Sequence, residues 1–167
     1  MDKRPTSTYT VRFSDCDPLG HLNNARYLDY FLNAREDHLK EHYSLRLDAY
    51  YRQGLVWVIR DHRITYLQSV TYNDTIGITT SLLSFKENKL VVEMIMTDES
   101  GEIPKAYLWT RFSSLDMKTK TRRVPPADFV ELVENVKLYE YNEIPTYEER
   151  LQELTQKSAA VSGEGQA

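Results

Sequence analysis

The chain has 167 residues, a formal net charge of −4, 41% hydrophobic and 28% charged residues. That length suits one domain, able to bury roughly 70% of its unfolded surface without disulfide staples. The acidic balance, with no basic run denser than Lys118, Lys120, Arg122 and Arg123, argues against a nucleic-acid partner. One cysteine, Cys16, excludes an internal disulfide, and with no apolar leader or membrane-length run the expected location is the cytoplasm.

Tyr9-Thr10-Val11-Arg12-Phe13 reads as a short strand. It leads into Asp15-Cys16-Asp17-Pro18-Leu19-Gly20-His21-Leu22-Asn23-Asn24, where ten residues hold two carboxylates, an imidazole, two side-chain amides and a thiol. Tyr27, Leu28, Phe31, Ala34 and Leu39 then recur near a 3.6 period and predict a helix over 24–41. Its apolar stripe is broad, as for a helix largely enclosed by a sheet. A polar loop feeding a helix start is a suitable place for chemistry, because the first turn offers unpaired N–H groups and a positive dipole end.

Residues 44–53 read as a connector with a helical turn, ending at Gly54. Strand patterns follow over 55–67, 75–85, 90–97 and 106–115. Tyr72-Asn73-Asp74, residues 86–89 and residues 98–101 are the turns between them. Short turns joining consecutive strands imply an antiparallel meander. A short helix starts within 124–129, another spans 145–156, and the small polar residues 158–167 read as disordered. The expectation is one α+β domain over 1–156 with a disordered tail over 157–167.

The motif Asp-x-Asp-Pro-x-Gly-His-x-Asn-Asn, followed by Tyr27 and Tyr30, resembles the signature of hotdog-fold acyl-CoA thioesterases of the 4-hydroxybenzoyl-CoA thioesterase-like family. Gly20, His21 and Asn23 mark the subgroup with Gly-His-x-Asn in place of the apolar run of the name-giving enzyme. The resemblance covers about residues 8–130 and implies a curved antiparallel β-sheet wrapped around a long central helix. It also implies hydrolysis of acyl-CoA to free acid and CoA, with no cofactor and no metal, in a homodimer or homotetramer. Acyl-carrier-protein thioesters are alternative substrates. A non-catalytic hotdog protein that binds acyl thioesters or serves as a scaffold is the alternative of a different class.

By that match Asp17 is the catalytic carboxylate. A carboxylate can activate water as a general base or attack the carbonyl itself to give a mixed anhydride, and both stay open. Read without the family, Asp17 is first a turn-forming Asx residue. Asp15 reads as a loop-pinning group and Cys16 as a buried thiol. His21 either assists catalysis or orders the loop. Asn23 either holds the substrate carbonyl or water or caps the helix, with Asn24 the expected cap. Lys86, Lys89, Arg122 and Arg123 match the family's CoA-phosphate regions, and Tyr27, Tyr30, Trp57 and Val58 are candidates for the acyl slot. His38 and His42 share a helix face at i, i+4 but lack the His-Glu-x-x-His pattern, so they read as a solvated helix end. His62 reads as structural or substrate-lining. No Gly-x-Ser-x-Gly elbow or Gly-rich phosphate loop appears.

Overall fold

The computed structural model describes residues 1–164, with side chains as far as residue 160. The central helix, α1 (Asn24–Tyr43), starts where the side chain of extended Asn23 accepts the N–H of Ala25 at 3.0 Å. It ends at Ser44, whose left-handed backbone (φ 53°) lets its N–H reach the Leu39 carbonyl. Tyr27, Phe31, Ala34 and His38, spaced for one helix face, are buried against the sheet.

The sheet has five strands: β1 (Thr6–Thr10), β2 (Leu55–Tyr66), β3 (Thr75–Lys86), β4 (Lys89–Asp98) and β5 (Pro104–Asp116). Their order is β1-β3-β4-β5-β2, and every neighbouring pair is antiparallel. Register shifts at Ile59/Asp61, Leu82/Ser84 and Met96/Thr97 mark bulges, which bend strands and deepen their twist. Ile78, Leu82, Met94 and Leu108, at most 1% exposed, form the core beside Phe31. This is the hotdog arrangement, and β1 and β2 are its two edges.

Three further α-helices complete the described residues. α2 (Leu47–Arg52) connects α1 to β2, and α3 (Ala127–Val136) buries Phe129, Val133 and Val136. α4 (Tyr147–Glu164) lies against the opposite face of the sheet, where Arg150 reaches Glu93 of β4. The first strand lies earlier than the sequence suggests. Val11 leaves the ladder to exchange bonds with Asp74 and Asn73, and Phe13–Asp15 tighten into a 3-10 turn that leaves Phe13 80% exposed. The expected disordered tail is helical through Glu164. The run Ser158-Ala159-Ala160 lies ahead of the first helix breaker, Gly163, and alanine favours continued helix. Residues 165–167 lie outside the described residues.

His38 is fully buried rather than at a solvated helix end. The N-terminal segment crosses this turn of α1, with the Tyr43 hydroxyl donating to the Asp2 carbonyl at 2.8 Å. The His38 ring bonds Thr80 Oγ1 at 2.8 Å and Ser7 Oγ at 2.9 Å. Burial, then the neighbouring His42 and Arg35 charges, lowers its pKa to about 4. The unfolded chain therefore binds a proton near pH 6.5 that the folded chain refuses until about 4. Stability is full above that upper value and falls by about 3 kcal/mol on acidification through the window. Urea unfolding at pH 7, 5.5 and 4.5 measures this, and His38→Gln should flatten the slope. An equal slope in the variant would assign the acid sensitivity to other groups.

Candidate active site

The polar loop before α1 closes on itself. Cys16 and Leu22 form an antiparallel bridge, the Asp17 N–H donates to the His21 carbonyl at 2.7 Å, and the Gly20 N–H to the Asp17 carbonyl at 3.0 Å. Gly20 supplies the positive φ of 80° that this tight turn needs. Asp17 Oδ1 accepts the N–H groups of Leu19 at 2.9 Å and His21 at 3.0 Å. Its other oxygen, Oδ2, has no hydrogen-bond partner among the described residues. The carboxylate is thus pinned by one oxygen, half-buried, and open at the other. The turn reading and an exposed reactive oxygen coexist in one side chain.

Neighbouring groups hold this turn to the body of the protein. The Tyr30 hydroxyl accepts the Arg12 N–H at 3.1 Å and donates to Asp15 Oδ2 at 2.8 Å, while the Asp15 carbonyl accepts from Asn23 N at 2.9 Å. His21 bridges Thr71, and the Tyr72 N–H donates to the Gly20 carbonyl at 2.9 Å. The His21 imidazole is half-buried and unbonded among the described residues. Asn23 takes the capping place expected of Asn24, whose carbonyl instead accepts the Tyr66 hydroxyl at 3.2 Å. Cys16 is half-buried and directs Sγ to the Arg12 carbonyl at 3.4 Å. Burial, Asp15 and Asp17 push its thiol pKa up, which opposes the thiolate that nucleophilic chemistry requires.

The other expected site residues lie elsewhere in the same chain. The turn beside Asp17 feeds the start of β3 at Thr75, whereas Lys86 is at its far end, about 35 Å along the strand. Lys86 and Lys89 flank the β3–β4 turn, and Lys86 lies over the Tyr141 ring. Arg122 pairs with Glu87 of that turn. Arg123 donates to the Gln53 carbonyl at 3.0 Å and to Asp116 at 3.4 Å, so it fastens the β5 end to the α2–β2 corner. Tyr27 is 3% exposed, packed edge-on to Tyr66, and belongs to the core rather than to an open slot.

Trp57 does line a cavity, of about 200 Å³, between α1, the sheet and α3. Leu39, Leu82, Phe112, Phe129 and Leu132 are part of its apolar wall, with the indole. The contribution of α3 was missed in the sequence. Its signal was the 129, 133, 136 spacing of apolar residues, which marks one helix face.

Residues 11–136 match the model of the thioesterase-like superfamily. The chain belongs to that superfamily. Solved hotdog structures resemble it at low identity. A DHNA-CoA thioesterase from Staphylococcus aureus is 18% identical, with 82% of this chain and 97% of that one covered at a TM-score of 0.75. A hypothetical S. aureus protein in complex with CoA is 19% identical, with coverage of 84% and 85% and a TM-score of 0.72. YbaW, a probable thioesterase from Escherichia coli, is 22% identical, with coverage of 80% and 98% and a TM-score of 0.68. No curated protein gives a significant match. Membership supports thioester hydrolysis as the reaction class, and no helix among the described residues is long and apolar enough to cross a membrane.

Proposed function

We propose that the chain is an acyl-CoA thioesterase acting as a two-fold homodimer, with Asp17 as the catalytic carboxylate. The observation that carries this reading is the carboxylate itself, pinned through Oδ1 and open at Oδ2 in a loop that ends at the α1 N-terminus. Oδ2 is the oxygen that draws a proton from water or attacks the thioester carbonyl. His21 borders the reacting groups, and Asn23 acts by capping α1 and so fixing the loop.

The distribution of unsatisfied surface supports the dimer. β2 is an edge strand, and Ile59 and Tyr66 on it are 43% and 42% exposed. An unpaired edge invites another strand. Antiparallel pairing of β2 with its copy sets residue 55 of one protomer near residue 66 of the other. It therefore brings the Asp17 end of one protomer to the cationic end of its partner. Exposed apolar side chains support that match: Phe13, Leu19 and Tyr72 around the Asp17 loop, and Tyr51, Met117 and Val124 at the other end. In this arrangement Lys86, Lys89 and Arg122 take the CoA phosphates, and the Trp57 cavity receives the acyl group. Arg123 keeps its fastening role.

Thiol release from a panel of acyl-CoA and acyl-carrier-protein thioesters tests the activity, and no release from any of them favours the non-catalytic reading. Replacing Lys86, Lys89 and Arg122 together by Ala should raise KM for acyl-CoA and leave kcat nearly unchanged, since phosphate contacts are alike in ground and transition states. The penalty should shrink with salt. Mixing this variant with Asp17→Asn tests the shared site, because a mixed dimer carries one site with neither lesion. At low substrate the mixture should recover about a quarter of parental activity. No recovery above the average of the two variants would put both sets of residues in one protomer's site.

A further inference from the structure

Arg35 of α1 is only 8% exposed, yet it forms no ion pair among the described residues. Its Nη1 donates to Thr80 Oγ1 at 3.3 Å, a hydroxyl already held by His38 at 2.8 Å. Its other polar neighbour is Tyr43, whose ring centroid lies 5.9 Å from Cζ and whose hydroxyl donates to the Asp2 carbonyl and accepts from the guanidinium. A guanidinium carries five N–H donors, and a buried charge is tolerated when paired with an opposite one. Arg35 also lines the Trp57 cavity, whose remaining wall is almost wholly apolar. The indole Nε1 of Trp57, another residue of the lining, is buried with no acceptor among the described residues. Glu36 also lines the cavity, but it is exposed and does not pair with Arg35.

We propose that this cavity is a binding site for a free aliphatic carboxylate, with the Arg35 guanidinium as its counter-ion. The apolar wall accounts for a hydrocarbon tail, and a buried guanidinium with no carboxylate partner among the described residues accounts for an anionic, acceptor-only head. The volume of about 200 Å³ is that of roughly six or seven waters and suits a short or medium chain. The ligand class is that of the acid released by thioester hydrolysis, so the site retains product if the proposed activity holds. The binding itself does not depend on that activity.

Calorimetric titration of the full-length protein with octanoate, and with 1-octanol as the uncharged control, tests this without reference to turnover. Octanoate should bind once per protomer. Arg35→Met should weaken octanoate about ten- to hundredfold, the range for a hydrogen bond to a charged group, and leave octanol nearly unchanged. Arg35→Lys, which keeps the charge without the fork, should fall between. Leu132→Trp, which fills the cavity, should abolish binding of both ligands. The proposal is overturned if octanoate does not bind, if it binds Arg35→Met and Arg35→Lys as it binds the parent, or if it still binds Leu132→Trp. Should Arg35→Met not fold, Arg35→Lys and Leu132→Trp decide the matter alone.

Discussion

Asp17→Asn should lower turnover at least about a hundredfold, the scale of losing a general base, while leaving the fold and KM almost untouched. The substitution is informative because of how Asp17 is held. An asparagine Oδ1 can still accept the N–H groups of Leu19 and His21, so the turn survives and only the charge and the reactive oxygen are lost. Asp17→Ala would remove the turn bonds as well and confound the two roles. Asp15→Asn should cost less, since its carbonyl oxygen can keep the Tyr30 hydroxyl bond. Cys16→Ala should remain active. Steady-state kinetics beside thermal melts separate these outcomes. Parental turnover in Asp17→Asn would sink the assignment, and a folded but inactive Cys16→Ala would move the chemistry to the thiol.

How much of this was legible in the sequence depends on the range of the interactions involved. The α1 period, the four long strands and the turn at Tyr72-Asn73-Asp74 are local signals, and they match the fold within a few residues. The Asp15–Asn24 loop was also legible, because its turn is built from bonds spanning four residues or fewer. What sequence could not give was long-range. Burial of His38 depends on Thr80 and Ser7, 42 and 31 residues away. The choice of Asn23 over Asn24 as cap turns on backbone geometry at one residue. Lys86 and Arg122 are assigned to the same ligand as Asp17 by family position, but the β3 strand separates them within the chain. In the proposed dimer a second copy reunites them, and no pattern within one chain encodes an assembly directly.

The outer face of the sheet carries the largest predicted effect on stability. Along β4 and β5, Met94 and Leu108 turn to the core, whereas Glu93 and Tyr107 turn to α4 and are 1% and 0% exposed. Glu93 accepts from Arg150 Nη2 at 2.7 Å and Nε at 3.0 Å and from the Tyr107 hydroxyl at 2.7 Å. These bonds to Glu93 hold the Arg150 charge firmly, and burial raises the Tyr107 pKa. Arg150 also reaches Glu153, and Tyr147 packs on the Tyr107 ring at 4.9 Å. Arg150→Ala strips Glu93 of its counter-ion in a site that water reaches poorly. Breaking such a pair costs about 3–5 kcal/mol, which for a chain of this size lowers Tm by roughly 10 °C. Removing both charges should be far milder, because a buried pair is often replaceable by neutral groups of similar shape. Glu93→Gln with Arg150→Met keeps an acceptor for Tyr107 and should regain most of the loss. Turnover below the melting range should be unchanged in both variants, since Asp17 lies in the loop before α1, on the other side of the sheet. If the double variant were as unstable as Arg150→Ala, the loss would come from α4 packing and not from a stranded carboxylate.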